Sequence, residues 1–220
     1  EISLCGGGNL TAGRIEVPAD LSSAAFFLIG AVVTPGSDIL LEHVGINPTR
    51  SGILKILELM GADFQILNRR QVSGEPIGDI RVRYSQLHGI EIPTDLVPLA
   101  IDEFPIIFIA AACAEGDTTL SGASELRVKE SDRIACMALG LDTLGVKNWV
   151  MDDGIIISGG TIKGGKVNSF GDHRIAMSFA IAGLVAEGPI EIFDCENIAT
   201  SFPTFYNVAR SLGMDIVQEI

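Results

Sequence analysis

Basic residues gather at three points of this chain that have the pattern of helix starts. Residues 127–133 (Arg-Val-Lys-Glu-Ser-Asp-Arg), 172–174 (Asp-His-Arg) and 47–50 (Asn-Pro-Thr-Arg) each open an apolar, helix-periodic stretch. Lys and Arg are unfavourable at a helix N-terminus, which is itself positive, unless an anion lies against them. Phosphate and carboxylate are the expected occupants. The pattern predicts a site for a small anionic molecule, and the alternative is a solvated helix start whose own charges pair.

Three side chains in or beside these clusters could transfer a proton. Asp102 lies at a helix start in a nearly apolar segment. We expect desolvation to raise the pKa of Asp102 so that it can accept a proton, although a plain N-cap role is the alternative. Glu130 lies between Lys129 and Arg133, which would hold it beside a bound anion. His173, with an ordinary pKa of about 6.5, could do the same work.

The clusters lie within an internal repeat. An Asp precedes each of three apolar helical stretches, and a Gly follows the Asp after 16, 14 and 16 residues. A second Gly comes 25, 29 and 25 residues after the first. These residues are Asp20, Asp102 and Asp172, then Gly36, Gly116 and Gly188, then Gly61, Gly145 and Gly213. The near-constant spacing indicates three copies of one structural unit.

Each copy predicts the same order of elements. The Asp, or a residue beside it, suits an N-cap, and the first Gly suits a left-handed C-terminus. First helices are predicted at about residues 21–34, 103–115 and 173–187, followed by strands at 38–42, 118–121 and 190–193. Periodic second helices then precede strands at 63–67, 147–151 and 215–218, and the first two copies add strands at 80–84 and 155–158. The third copy has no counterpart of this last strand.

The helices of the repeat are too apolar to coat a sheet from outside. Residues 24–29 and 106–113 are apolar on more than one helical face, which suits helices buried between sheets. The predicted fold is therefore α/β, with βαβαββ units whose helices pack inside the sheets, as an inside-out α/β barrel. A doubly wound sheet is the alternative. The threefold repeat and the lack of a Gly-x-Gly-x-x-Gly between strand and helix argue against it.

Composition excludes several classes of function. The net charge of −13 disfavours nucleic acid as a partner, because a phosphate backbone demands a basic face. No run reaches the roughly 18 apolar residues of a membrane span. Four cysteines without a Cys-x-x-Cys pair disfavour structural zinc and fit a reducing, cytoplasmic compartment. The chain begins with Glu1 instead of Met, so we expect a fragment or a processed product.

Two strings together resemble the C-terminal signatures of the EPSP synthase family. They are residues 126–133 (Leu-Arg-Val-Lys-Glu-Ser-Asp-Arg) and 171–177 (Gly-Asp-His-Arg-Ile-Ala-Met). Other segments follow in the family's order, at 17–24, 47–50, 60–62, 101–105 and 199–203. The resemblance covers essentially the whole chain. It implies the C-terminal half of an enzyme that transfers the enolpyruvyl group of phosphoenolpyruvate to the 5-hydroxyl of shikimate 3-phosphate, in aromatic amino-acid biosynthesis.

The resemblance also implies a domain arrangement. Residues 1–14 would be the last strands of an absent N-terminal domain. Residues 15–220 would form the C-terminal domain, in units of about 15–86, 87–160 and 161–220, and the active site would lie in the cleft between domains. In this family the protein's extreme N-terminus completes the C-terminal domain, which fits the strand missing from the third copy. We expect a monomeric parent enzyme that needs no metal or organic cofactor, and a fragment that is inactive alone.

Roles carry over to the residues that match the family's motifs. Asp102 would take the proton from the 5-hydroxyl, and Lys129 would contact that hydroxyl. Glu130 would protonate the methylene carbon of phosphoenolpyruvate and later remove a proton from it. The residues expected to bind the phosphate and carboxylate of phosphoenolpyruvate are Arg133 and Arg174, with Asp172 and His173 near them.

Two positions depart from many relatives. Thr200 stands where those relatives have a Lys that holds phosphoenolpyruvate, and Glu125 stands where they have an Asn that touches the shikimate ring. Glu125 is thus a candidate substrate contact, and both features resemble the second, more glyphosate-tolerant class. The sister enzyme that acts on UDP-N-acetylglucosamine shares the fold but lacks the paired signatures. A structural half-module without catalysis remains a further alternative.

Overall fold

The helices and strands follow the predicted order along most of the chain. The computed structural model describes residues 2–9 and 11–218. The helices are α1 (Leu21–Val33), α2 (Gly52–Leu59), α3 (Phe104–Cys113), α4 (Arg133–Thr143), α5 (His173–Ala182), α6 (Ile198–Ser201) and α7 (Phe205–Ser211). The strands are β1 (Asp38–Gly45), β2 (Phe64–Val72), β3 (Glu75–Arg83), β4 (Asp117–Leu120), β5 (Asn148–Met151), β6 (Gly154–Ser158), β7 (Gly165–Asn168) and β8 (Ile190–Phe193). Short 3₁₀ turns cover Thr94–Leu96 and Ser124–Val128.

The first helices of the three units, α1, α3 and α5, pack against one another at the centre. Helix α3 is buried from Phe104 to Ala112, on every face. A helix that is apolar all round must lie inside a protein, because each of its faces needs an apolar partner. The second helices α2 and α4 have one buried side each, and α4 also contacts α3 and α5. The prediction of helices packed inside is confirmed.

Sheets of the same topology cover the first two units. Their strand orders are β1-β3-β2 and β4-β6-β5, both antiparallel. A parallel bridge adds the chain before the first helix to each sheet, through Ala19 to Val44 and through Glu91 to Thr119. Half-buried and exposed residues alternate over the first four residues of β2, as expected for a sheet with one solvated side, and residues 67–71 are all exposed. Each complete unit is therefore βαβαββ.

The third unit is smaller than predicted. Its sheet contains β7 and β8, which pair in parallel. The strand predicted at 215–218 is not formed. In the first two sheets the corresponding strands, β2 and β5, pair with a middle strand, β3 or β6. The third unit has no such strand among the described residues, so 215–218 lacks a ladder to join.

Helix α5 also ends earlier than the glycine pattern predicted. It stops at Ala182, five residues before the predicted end at 187, and Gly188 does not take the left-handed conformation expected of it. Gly188 instead lies against Gly164, where the two backbones approach closely. A Cβ on Gly164 would come within 2.7 Å of the Gly188 carbonyl carbon. The close approach therefore requires a glycine at 164, whereas a Cβ on Gly188 would meet Gly164 at an ordinary 3.5 Å.

The chain before Ala19 forms neither helix nor strand at residues 2–9 and 11–18. The assignment of residues 1–14 to the last strands of a preceding domain therefore stays a prediction, and Glu1 and Leu10 lie outside the described residues. Among the helices that the structure describes, none is long and apolar enough to cross a membrane.

Candidate functional site

The N-termini of the three central helices meet at one pole of the molecule. Ser22 in α1 donates a hydrogen bond to the Glu103 carboxylate before α3. Arg174 in α5 reaches the same place, because its Nη1 donates to the Asp102 carbonyl oxygen at 3.0 Å. Three helix N-termini that converge in this way add their partial positive charges, which favours bound anions. The candidate site residues predicted from the sequence lie at this pole.

Helices α1 and α5 are capped by the Asp of the repeat, as predicted. Asp20 accepts from the Ser23 backbone N–H and Asp172 from the Arg174 backbone N–H, both at 2.9 Å. In the second unit the cap position is Glu103, whose side chain makes no capping bond. The alternative prediction, that Asp102 is a plain N-cap, is therefore wrong.

Asp102 instead lies among cations. Its Oδ1 is 3.5 Å from Lys129 Nζ and 3.4 Å from Arg133 Nη1. Burial raises the pKa of Asp102, but the charges of Arg174, Lys129 and Arg133 together outweigh burial and lower it. The predicted raised pKa is wrong, because the sequence did not show how many cations would surround this carboxylate. An ionised Asp102 can still accept a proton from a hydroxyl held against it.

The guanidinium of Arg133 is fully buried, and each of its three nitrogens contacts a carboxylate. Its Nε donates to Asp172 at 2.8 Å, its Nη2 to Glu130 at 2.6 Å, and its Nη1 to Asp102 at 3.4 Å. A substrate anion could bind Arg133 only by displacing one of these partners. Glu130, whose side chain is 52% exposed, is the partner that can leave without burying a new charge. Direct binding of phosphoenolpyruvate to Arg133 stays a prediction.

Asp172 lies behind Arg133, out of contact with solvent. It also accepts from Ser131 Oγ at 3.1 Å. Burial raises the pKa of Asp172, but its hydrogen bond from Arg133 and the Arg133 charge lower it by more. Asp172 is thus a fixed anion that orients Arg133, and its predicted effect on a substrate would act through that arginine.

The remaining predicted residues surround the same pole. Lys129 Nζ contacts Glu125 at 2.6 Å, and this hydrogen bond is the main cause of the raised pKa of Lys129. Burial, and next the charge of Arg174, lower the pKa of His173, which favours its neutral imidazole. Glu125 and Glu130 are both exposed at the mouth of the cluster. The structure therefore brings every predicted site residue to one place.

Two residues were missed by reasoning from the sequence. Ser22 and Glu103 join α1 to α3, and Arg174 lies 3.7 Å from Glu103. Arg50, in the third basic cluster, joins the same network through a 3.1 Å bond to Ser22 Oγ. The signal for Glu103 was its position beside Asp102, in a run that is otherwise apolar.

Comparison with known proteins agrees with this geometry. A model of the EPSP synthase (3-phosphoshikimate 1-carboxyvinyltransferase) family matches residues 1–209. The 3-phosphoshikimate 1-carboxyvinyltransferase of Methylococcus capsulatus is 64% identical over 210 residues, which are 96% of this chain and 48% of that protein. That of Nitrosococcus oceani is 62% identical over 98% of this chain and 49% of its own length. The chain thus spans about half the length of the relatives it matches.

Solved structures give the same result. An EPSP synthase from Acinetobacter baumannii superposes with a TM-score of 0.93 at 55% identity, over 95% of this chain and 49% of that one. The enolpyruvyl transferase NikO from Streptomyces tendae superposes with a TM-score of 0.62 at 15% identity, over 90% of this chain and 44% of its own, which shows a shared fold. The chain belongs to the EPSP synthase (3-phosphoshikimate 1-carboxyvinyltransferase) family.

Proposed function

We propose that this chain is one half of a 3-phosphoshikimate 1-carboxyvinyltransferase and carries the acid–base residues of its reaction. The observation that carries the proposal is the shared guanidinium of Arg133. It holds the two candidate proton-transfer groups, Asp102 and Glu130, on its two terminal nitrogens. One of them is ionised among cations and the other is open to solvent.

The proposed reaction is an addition followed by an elimination. Asp102 takes the proton of the 5-hydroxyl of shikimate 3-phosphate while the hydroxyl oxygen bonds to C2 of phosphoenolpyruvate. Glu130 gives its proton to the methylene carbon C3, so the double bond becomes single. In the second stage the C2–O bond to phosphate breaks, Glu130 takes a proton back from C3 to restore the double bond, and the proton held by Asp102 leaves with the released phosphate. Lys129 stabilises the oxygen under attack, and Arg174 and Arg133 bind the acidic groups of phosphoenolpyruvate.

The third sheet supports a role as one half of a larger protein. By analogy with the first two sheets, a middle strand is needed between β8 and residues 215–218. We propose that another part of the whole protein supplies this strand, and that the substrate-binding cleft is completed by the same part. The cytoplasm is the proposed location, since the substrates are small phosphate esters of central metabolism.

The direct test uses a chimera, in which this chain replaces the matching residues of the Methylococcus capsulatus relative. We expect the chimera to release phosphate from phosphoenolpyruvate only when shikimate 3-phosphate is present. Glu130→Gln in the chimera should lower kcat by about 10²- to 10⁴-fold, because the amide cannot donate and retrieve the proton. The matched control is Glu58→Gln, on the exposed side of α2.

Circular dichroism of the Glu130→Gln chimera should match that of the unsubstituted chimera. A correctly folded variant with a near-normal rate would remove Glu130 from the reaction. Turnover with UDP-N-acetylglucosamine in place of shikimate 3-phosphate would favour the sister activity instead.

A second experiment tests the half-site. The 220-residue chain alone should release no measurable phosphate, because it provides one wall of the proposed cleft. Addition of the separately expressed other half of the Methylococcus capsulatus relative should restore phosphate release. Substantial turnover by this chain alone would show that the active site is misplaced, and no turnover by the mixture would favour a purely structural module.

A further inference from the structure

Glu103 is a buried carboxyl group to which the proposed reaction assigns no role. It is 5% exposed, at the last position before α3. Its carboxylate accepts a hydrogen bond from Ser22 at the start of α1 and lies 3.7 Å from Arg174 Nη1 at the start of α5. One side chain thus touches the N-termini of the two other central helices.

Glu103 fixes the arginine that the reaction needs. Arg174 Nη1 lies between two acceptors of the α3 start, the Asp102 carbonyl oxygen at 3.0 Å and the Glu103 carboxylate. The carbonyl sets the position of one nitrogen, and the carboxylate attracts the positive charge. Without the charge of Glu103, Arg174 would keep the Asp102 carbonyl and the attraction of the Asp102 carboxylate, and it would lose the carboxylate that lies on its α3 side.

The groups that face Glu103 make its protonation state sensitive to pH. Arg174 faces it from α5, Ser22 from α1, and Arg50, which precedes α2, through Ser22. Asp102, its neighbour in the chain, opposes its ionisation. Burial raises the pKa of Glu103, and the hydrogen bond from Ser22 and the charges of Arg174 and Arg50 only partly offset burial. Glu103 therefore takes up a proton in less acidic solution than an ordinary glutamate.

We infer that Glu103 is a positioning residue of the proposed reaction: as a carboxylate it holds Arg174 at the pole, and protonation of Glu103 loosens Arg174. The inference rests on the proposed function, since it concerns the same site. A glutamine at this place would fill the same volume and could still accept from Ser22. It would remove the negative charge that attracts Arg174 at nearly the same volume, with an amide NH2 in place of one carboxylate oxygen, so the charge is tested with little change in packing.

The test measures steady-state kinetics of the chimera with Glu103→Gln, beside Glu58→Gln as the control. At pH 7.5 we expect KM for phosphoenolpyruvate to rise about tenfold, with a much smaller change in kcat, because a charge-assisted contact that positions a binding group is lost. A fold defect would instead lower the amount of active enzyme and leave KM unchanged.

The pH dependence gives the sharper readout. We divide kcat/KM of the unsubstituted chimera by kcat/KM of the Glu103→Gln chimera. The division cancels the effect of substrate ionisation on the rate, because that effect is the same for both proteins. This ratio should be about ten at pH 7.5 and fall toward one as the pH falls through the pKa of Glu103. Ser22→Ala, which removes a hydrogen bond to the carboxylate, should move the fall to higher pH.

The outcomes separate the two proposals. An inactive unsubstituted chimera overturns the proposed function and this inference with it. An active chimera whose KM is unaffected by Glu103→Gln, or whose ratio is constant from pH 5 to 8, overturns the inference alone. If Glu103→Gln does not fold, the Ser22→Ala chimera is compared with the unsubstituted chimera. If kcat/KM falls at the same pH for both in acidic solution, the inference is overturned as well.

Discussion

Asp172 and Glu103 are both buried carboxyl groups at the starts of central helices, each beside an arginine, yet they are opposite in charge behaviour. Asp172 accepts from Arg133 Nε at 2.8 Å and from the Arg174 backbone N–H at 2.9 Å, and its pKa is lowered. Glu103 has one hydroxyl donor and an arginine nitrogen at 3.7 Å, and its pKa is raised. Burial penalises the charge of both, so the number and closeness of donors decide the outcome.

The difference separates two tasks at one pole. Asp172 is a permanent anion that neutralises the fully buried Arg133. Glu103 can exist in either form without leaving a buried cation unpaired, because Arg174 keeps the Asp102 carbonyl as a partner. The substitutions below test whether this contrast between a fixed and an adjustable carboxylate holds.

The largest effect is expected for Asp172→Asn. This change removes the one fully buried carboxylate that contacts the guanidinium of Arg133 and leaves Glu130 and Asp102 to balance its charge. The free energy of unfolding should fall by about 3 kcal/mol, the lower end of the range for a broken buried ion pair. Urea denaturation of the chimera, followed by circular dichroism, measures the change. Asp63→Asn, which removes an exposed partner of Arg83, is the matched control, with an expected loss of about 0–1 kcal/mol.

The unsubstituted and Asp172→Asn proteins should also differ in how their free energy of unfolding changes in acid. The lowered pKa of Asp172 means that its contribution is complete above its ordinary value of 3.8 and is lost as the pH falls through the lower folded value. The stability gap between the unsubstituted and Asp172→Asn proteins should therefore narrow in acid. A gap that stays constant would mean that Asp172 does not titrate in the folded state.

A smaller effect is expected for Glu103→Gln. Glutamine keeps an acceptor for Ser22 and removes a charge that burial penalises, so the free energy of unfolding should stay within about 1 kcal/mol of the unsubstituted value at pH 7. Its pH dependence should have the opposite sign. Since the folded pKa is raised above 4.5, stability is favoured below that value and lost as the pH rises through the folded pKa. The variant should therefore gain relative to the unsubstituted protein as pH rises.

Loss of several kcal/mol in Glu103→Gln at pH 7 would put Glu103 in the same class as Asp172 and end the contrast. Unchanged stability of Glu103→Gln, together with a raised KM for phosphoenolpyruvate, would support the contrast between the two carboxyl groups.

Local pattern predicted much of this fold and of the site. The repeat of Asp and Gly placed the central helices, and the motif strings gathered every candidate residue at one pole. The sign of the Asp102 pKa shift was wrong, because it depends on cations that lie far apart in the chain and meet only after folding. The three carboxylate contacts of Arg133 were equally hidden, since two of the three partners, Asp102 and Asp172, are remote in sequence. The end of α5 and the missing strand at 215–218 depend on backbone approaches and sheet partners that no local periodicity encodes.

The two-stranded sheet of the third unit also bears on how the whole protein assembles. Within the described residues, β8 carries backbone N–H and C=O groups that no neighbouring strand occupies on its outer edge. An open edge accepts any compatible strand, including one from a second copy of the same chain. The addition of the correct strand would therefore act as the closing step of folding, and it would protect the newly made chain from pairing with itself.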